Sequence, residues 1–309
     1  MISQVDAAFP VQEFIGRSIL VTGAMGFVGR HLIDALKGVG VANLVLTDIY
    51  PQKSLESMGG KYVTMDLNDR ECVLQFGRDH RFEYVFHLAG KIDQTIRPGV
   101  YQEQLHIHVD ATLNLLDAVS MNDLRNFVYV GSNAEYGNAP CPHSEMVHET
   151  PNSAYGVSKL AASRLVLAKV ASEGIPAVVV RPFLIYGPGQ SQHSFLQMAL
   201  DAAFAGRDFP TTAGEQTRDW VSVDKVVQDL LNITAKSYGL GRIFNSCTGV
   251  EIKLKEVLML IKQYYPTFKP LIGEIPYRRN ELMRSVGLPF VGLSKEQAIQ
   301  KLSDFIAGD

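Results

Sequence analysis

The stretch Ser18–His31, SILVTGAMGFVGRH, constrains the fold of this chain more than any other. Ile19, Leu20, Val21 and Thr22 form a short apolar run with β-branched members, which suits a buried strand. Gly23, Gly26 and Gly29 follow at three-residue intervals, and Phe27, Val28, Leu32, Ile33 and Leu36 repeat with helical periodicity. A strand that turns through glycines into a helix gathers unpaired backbone N–H groups and the positive end of the helix dipole in one place, where a pyrophosphate binds. The spacing is one residue longer than the plain dinucleotide fingerprint, and glycines serve tight turns for conformational reasons alone. Context therefore decides. Asp48 ends the run Asn43–Thr47, nineteen residues beyond Gly29. A carboxylate there accepts hydrogen bonds from ribose hydroxyls; the competing reading is an Asp that opens the turn Asp48-Ile49-Tyr50-Pro51. With both features in register, the nucleotide site is favoured.

At 309 residues the chain is long for one compact core, which predicts one domain plus a smaller C-terminal lobe. The net charge of -3 gives no ground for a nucleic-acid partner or an anionic membrane. No apolar stretch approaches the roughly 20 residues that cross a bilayer. The first residues carry Asp6 and Glu13 and no cation before Arg17, unlike a secretory signal, so a cytoplasmic location is expected. Cys72, Cys141 and Cys247 are widely separated and odd in number, which argues against a disulfide framework or a zinc knuckle.

Residues 1–17 read as a loose leader, with an extra helical turn at most. From Ser18 strands are expected near Ser18–Thr22, Asn43–Asp48, Lys61–Thr64, Tyr84–Leu88, Asn126–Gly131 and Ala177–Arg181. Helices fit between them at Phe27–Lys37, Arg70–Arg78, Glu103–Val119 and Tyr155–Ser172. This alternation implies an α/β fold, a doubly wound parallel sheet with helices on both faces. The Pro- and Gly-rich passage Pro182–Gly189 marks a change of character, with helices expected at Phe195–Ala205, Asp224–Ala235, Lys253–Tyr264 and Lys295–Ala307. The division is thus 18–182 for the nucleotide-binding domain and 183–309 mainly for a smaller lobe over the carboxyl ends of the strands.

Two further strand ends belong to the nucleotide site. Lys61–Thr64 runs into Met65-Asp66-Leu67, where Asp66 either meets an adenine edge or caps the helix starting near Arg70. Tyr84–Leu88 runs into Ala89-Gly90-Lys91, small residues that let a cofactor approach the backbone; His87 reads as a packed strand residue.

The sharpest catalytic signal is Tyr155-Gly156-Val157-Ser158-Lys159. Helix positions four apart lie on one face, so the phenol and the ammonium point into one site. A free tyrosine, with a pKa of about 10, exchanges protons poorly near neutrality. A neighbouring Lys159 cation stabilises the phenolate and lowers that value, and can also hold a nicotinamide ribose. A surface Tyr and Lys on an amphipathic helix would show the same spacing. Ser132, at the end of strand Asn126–Gly131, answers that reading with a hydroxyl able to donate to a substrate oxygen beside the tyrosine. By itself Ser132 would be a turn residue. With the glycine turn, Asp48 and the Tyr/Lys pair, it completes a hydride-transfer site.

On these residues the chain resembles the extended short-chain dehydrogenase/reductases of the nucleotide-sugar epimerase/dehydratase/reductase family, from about Ser18 to the C-terminal helix. The markers are Thr22-Gly23-Ala24-Met25-Gly26-Phe27-Val28-Gly29, His87-Leu88-Ala89-Gly90, Ser132, Tyr155 with Lys159, Arg181-Pro182-Phe183 with Tyr186-Gly187-Pro188, and Arg218-Asp219-Trp220-Val221-Ser222-Val223-Asp224. The resemblance implies a Rossmann-type sheet and bound NAD or NADP. Cofactor contacts would come from Gly23, Met25, Gly26, Phe27, Val28 and Asp48, from Asp66, Leu67, Leu88, Ala89 and Gly90, and from Tyr155, Lys159 and Arg181. It implies Ser132, Tyr155 and Lys159 as the catalytic centre, and a sugar nucleotide met by Lys91, Asn133, Ala134, Arg218 and Arg278. It also implies a homodimer in which the helices near Glu103–Val119 and Tyr155–Ser172 form a four-helix bundle.

Relatives resembling 4,6-dehydratases carry an Asp-Glu pair directly after the active-site hydroxyl; here Asn133 and Ala134 stand there, which argues against elimination. The string Gly131–Gly137 and the later Ile275–Glu281 look more like the 4-keto-6-deoxy sugar reductases, with 4-epimerases using the same three residues reversibly. Three positions depart from the family pattern: His108 replaces an Asn, Ala111 a Gly, and Leu184 an Asn that contacts the substrate diphosphate. Arg218 and Arg278 remain as phosphate clamps, with surface ion pairing as the competing reading. His106 and His108 diverge on a helix, and His143 and His148 fall in a Pro-rich segment where solvation is the expected fate, so no metal site is expected. Asp48 repels an extra phosphate and favours NAD, while Arg30 and Lys53 leave NADP possible. The rival from another class is a non-catalytic NAD(P)-binding sensor or interaction module. Such proteins lose the Tyr or the Lys, which this chain keeps; Leu184 is the feature on the rival's side.

Overall fold

The computed structural model describes residues 11–51, 59–119, 123–236, 240–289 and 291–308. The apolar runs fold as strands β1 (Ser18–Thr22), β2 (Asn43–Asp48), β3 (Lys61–Thr64), β4 (Tyr84–His87), β5 (Asn126–Val130) and β6 (Ala177–Pro182). With β10 (Ile243–Ser246) they make a seven-stranded sheet in the order β10-β6-β5-β4-β1-β2-β3. The pairings from β6 to β3 are all parallel. Strand order reverses between β1 and β4, the switch point at which open α/β sheets hold ligands. Ile19, Leu20 and Val21 are fully buried, each stabilising the sheet by roughly 1.5–3 kcal/mol.

Helix α1 (Phe27–Lys37) begins where predicted and turns Gly29, Leu32, Ile33 and Leu36 inward. Helix α2 (Arg70–Asp79) is capped by Asp69, whose side chain accepts from Cys72 N at 3.1 Å. Asp66 instead closes a local turn onto Asn68 N at 2.9 Å, so the capping role expected of it passes to Asp69. The helix expected over Glu103–Val119 starts earlier and is interrupted. It consists of α3 (Val100–Leu105), a π-helical turn over His106–Asp110, and α4 (Ala111–Ala118). Such wide turns commonly mark functional positions. Helix α5 (Ala154–Glu173) carries Tyr155, Ser158 and Lys159.

Contacts divide the chain into two units, each made of three segments. The first is Met1–Gly131, Val157–Val180 and Val227–Ile243; the second is Ser132–Gly156, Arg181–Val226 and Phe244–Asp309. The end of the leader is not loose: Val11–Phe14 form a 3-10 turn, and Phe14 is fully buried with its ring 5.1 Å from Tyr84. Residues 1–10 of that leader and Lys53 lie outside the described residues.

The second unit contains short strands where mainly helices were expected. Strand β7 (Leu184–Tyr186) pairs in parallel with β9 (Thr217–Ser222), which also pairs with β11 (Glu251–Lys253) and β13 (Arg284–Ser285). A second pair joins β8 (Asp208–Thr211) to β12 (Lys269–Ile272). Helices α6 (Phe195–Phe204), α8 (Leu254–Tyr264) and α9 (Lys295–Ala307) build one core with Tyr186 and Trp220. Leu184, opposite Trp220 in the register, packs against that core, a hydrophobic role the replaced Asn could not fill. Helix α7 spans Val223–Ala235.

Candidate active site

The glycine turn behaves as its sequence dictates. Gly23 has φ +66°, and a Cβ there would lie 2.7 Å from Ala89 N and 2.8 Å from the Leu88 carbonyl carbon. Gly29 faces the turn so closely that its Cβ would sit 2.4 Å from Gly23 O. Helix α1 opens on Gly26 with no side-chain cap, which leaves its first N–H groups for an anion. A cleft of about 500 Å³ lies here, lined by Gly23, Met25, Gly26, Asp48, Asp66 and Leu67 among others. Leu88, Ala89, Gly90 and Lys91 also line it, so Lys91, expected at the substrate, stands with the expected cofactor contacts.

The Asp48 carboxylate accepts from Met25 N at 3.0 Å and from Ile49 N at 2.8 Å, locking the end of β2 to the turn. Each of its oxygens retains a second lone pair for a ribose hydroxyl. The uncapped N-terminus, the close-approach glycines and this carboxylate together fit an adenine dinucleotide. Tyr50, Asn68 and Ile107 also line the cleft, and no motif in the sequence marked them. Replacing Gly23 by Ala adds a left-handed residue penalty of about 1–2 kcal/mol to a backbone clash. At least tenfold weaker NAD binding is expected, read by fluorescence titration.

Ser132 and Tyr155 come together. The hydroxyls are hydrogen-bonded, and burial pushes the Tyr155 phenol up to about 12, with the Ser132 bond pulling the other way and the Glu135 carboxylate adding to the rise. This is opposite to the depressed value expected from the Lys159 ammonium, because burial dominates. Ser132 is also a cap: its Oγ accepts from Ala134 N at 3.1 Å, and its N–H donates to Glu135 Oε1 at 2.9 Å. The other Glu135 oxygen accepts from Arg181 Nε at 2.7 Å, and Arg181 Nη2 donates to Glu149 at 2.8 Å. The guanidinium lies 4.6 Å over the Tyr136 ring. Arg181 is 0% exposed, so the cofactor contact expected of it is replaced by a buried ionic brace behind Ser132. Glu135 lies inside the string Gly131–Gly137 with no role assigned to it there, and Glu149, seventeen residues beyond Ser132, lies in no motif.

Other predicted residues fall as follows. Asn133 donates to Ser285 Oγ at 3.0 Å, and Ala134 is half-buried beside it. Arg218 donates to Glu281 at 2.8 Å and to Leu282 O at 2.7 Å, the ion-pair reading. Arg278 is exposed, as is His148. His143 is not solvated as expected: it is buried and stacks on Tyr136 at 4.8 Å, because apolar ring area outweighs its polarity there. Phe27 and Val28 sit in the first turn of α1. Among the described residues no group of three His, Cys, Asp or Glu side chains can hold a metal ion.

Lys159 is buried, donates to Val130 O at 2.6 Å and lies 4.4 Å over the Tyr129 ring. Two imidazoles share this interior. Burial, followed by the Lys159 charge, lowers His87 to about 3 and His108 to about 2. Both are neutral in the native protein, whereas in the unfolded chain each protonates near about pH 6.5. The unfolded state therefore binds more protons below that pH, and stability present at neutrality is lost as pH falls toward the native values. At about 1.4 kcal/mol per pH unit, each histidine is expected to remove about 2 kcal/mol by pH 5. Denaturant melts at pH 7 and pH 5 check this, and His87→Asn should flatten the dependence.

With the geometry in place, comparison with known proteins gives a consistent result. The model of the NAD dependent epimerase/dehydratase family matches residues 19–246. The chain belongs to that family. Its members are enzymes that work on nucleotide sugars with NAD. The chain is similar to a GDP-6-deoxy-D-mannose reductase of Pseudomonas aeruginosa, 28% identical over 79% of this chain and 78% of that protein. It is equally similar to a UDP-glucose 4-epimerase of Mycolicibacterium smegmatis, 28% identical over 77% and 79%. The fold matches that of the Thermotoga maritima UDP-glucose 4-epimerase solved with UDP-glucose, with a TM-score of 0.81 at 22% identity, covering 94% of this chain and 99% of that one. Among the described residues no helix is long and apolar enough to cross a membrane.

Proposed function

We propose that this family member reduces the 4-keto group of a nucleotide-linked 6-deoxyhexose, with Ser132, Tyr155 and Lys159 as its catalytic centre. The observation that carries the reading is the buried Tyr155 phenol, hydrogen-bonded to Ser132 and held protonated at neutral pH. Reduced NAD, when bound, supplies the hydride. Tyr155 then gives its proton to the carbonyl oxygen as that oxygen gains charge, and Ser132 donates a hydrogen bond to the same oxygen. The Glu135 and Arg181 brace keeps Ser132 in place for this. Lys159, on the same face of α5 as Tyr155, supplies positive charge and holds a ribose hydroxyl.

Asn133 and Ala134 carry no carboxylate with which to move protons at the neighbouring sugar carbons, which argues against elimination. The diphosphate would share Arg218 with Glu281 and use the exposed Arg278, since Leu184 cannot donate. Similarity to the P. aeruginosa reductase supports reduction. Equal similarity to an epimerase supports a second reading, 4-epimerisation with retained NAD.

Loss of reduced-nicotinamide absorbance with a panel of 4-keto-6-deoxy nucleotide sugars tests the proposal. Oxidation that depends on Tyr155 supports it; none, with NAD retained through purification, favours the epimerase. A cytoplasmic homodimer belongs to the same reading. Val157, Leu160, Ala161 and Leu165 of α5 are only half-buried, which suits pairing with a second copy in a four-helix bundle. Light scattering should report twice the 34.1 kDa chain mass.

A further inference from the structure

Two buried histidines are left unexplained by the chemistry above, and their hydrogen bonds can be assigned a direction. Backbone amides only donate, and carbonyls only accept. Lys91 N–H donates to His108 Nε2 at 3.3 Å, so Nε2 is bare and Nδ1 carries the proton, with Ser158 Oγ at 2.9 Å and the Gln104 carbonyl as its partners. Thr112 Oγ1 spends its hydrogen on the His108 carbonyl, so its oxygen accepts from His87 Nε2–H at 3.0 Å. His87 Nδ1 is then bare and accepts from Thr22 Oγ1 at 2.7 Å. Thr22 Oγ1 in turn accepts from Ala89 N–H at 3.2 Å. The circuit starts and ends on the same loop. Ala89 and Lys91 are its two anchors, and Gly90 lies between them, where a Cβ would be 2.8 Å from His108 Nε2.

We propose that His87 and His108 form a directional hydrogen-bond ring that sets the loop Ala89–Gly90–Lys91 against the glycine turn, with His108 the positioning residue that closes it and so tunes NAD affinity. The π-helical turn places His108 for this contact, and all of its partners belong to the first unit. The loop lines the cofactor cleft, and Ala89 N stands 2.7 Å from where a Gly23 Cβ would fall. A side chain as short as Asn in place of His108 would take the Nε2 acceptor away from the Lys91 N–H. The inference rests on the NAD-dependence of the family and is independent of which sugar is reduced.

Imidazole nitrogen resonances of the unmodified protein test it without any substitution. The ring requires opposite tautomers, Nδ1–H on His108 and Nε2–H on His87, and the same tautomer on both would overturn it. Amide exchange and NAD titration of His108→Leu form the second arm. The expected result is faster exchange at Lys91 and about tenfold weaker NAD binding. Unchanged exchange at Lys91 with NAD affinity within twofold would overturn the proposal. A third arm separates positioning from general destabilisation. Gly90→Ala should weaken NAD binding about tenfold in the native background and less than twofold on top of His108→Ala, which removes the ring it strikes. Equal losses in both backgrounds would overturn the proposal.

Discussion

Tyr155→Phe is expected to lower turnover by about 10³-fold while leaving NAD affinity within twofold. The substitution removes one oxygen from a residue that is 9% exposed, so neither packing nor the cleft at Gly23 and Asp48 changes shape. It deletes the proton that the carbonyl oxygen needs and the partner of the Ser132 hydroxyl. Initial rates beside a binding titration check it. Loss of less than tenfold would mean that another acid supplies the proton. The pH dependence follows from the same raised phenol. Reduction should show no alkaline loss assignable to Tyr155 below about pH 10, because the group stays protonated there.

Arg181→Met is expected to destabilise the protein by about 3–5 kcal/mol, the range for breaking a buried ion pair from one side. Glu135 and Glu149 would be left as buried carboxylates facing each other's charge without the guanidinium between them. Methionine fills the space but cannot donate. The consequence should reach the site, since Glu135 also accepts from Ser132 N–H. Adding Glu135→Gln and Glu149→Gln to Arg181→Met should recover part of the loss by removing the unpaired charges. Thermal and denaturant unfolding measure both. A loss below about 1 kcal/mol for the single variant would show that the brace is not held as an ionised triad.

What was readable in the sequence was what is local. The strand, the glycines and α1 are contiguous, so periodicity alone located them to the residue. Tyr155 and Lys159 are four apart on one helix, and spacing suffices for them. Strand β10 was missed because Ile243–Ser246 contains two apolar residues and takes its place only through β6. The strands around Trp220 are two to six residues long and too short to show an alternation. The π-helical turn was invisible, since His106–Asp110 has the helical propensity of its flanks. Arg181 and His143 were misplaced for a common reason. Their burial depends on Glu135, Glu149, Tyr136 and Asn245, partners up to about a hundred residues away, which no window of sequence brings together.

The central claim, reduction at C4 with Tyr155 as the proton donor, is tested most directly by isotope transfer. The protein is mixed with NADH carrying deuterium on the transferable face and with a nucleotide-linked 4-keto-6-deoxyhexose, and the product is analysed by mass spectrometry and NMR. One deuterium at C4 per NADH consumed is expected, with the labelled product forming about 10³-fold more slowly with Tyr155→Phe. Product without deuterium, or interconversion of 4-hydroxy epimers on NAD that never leaves the protein, would contradict it.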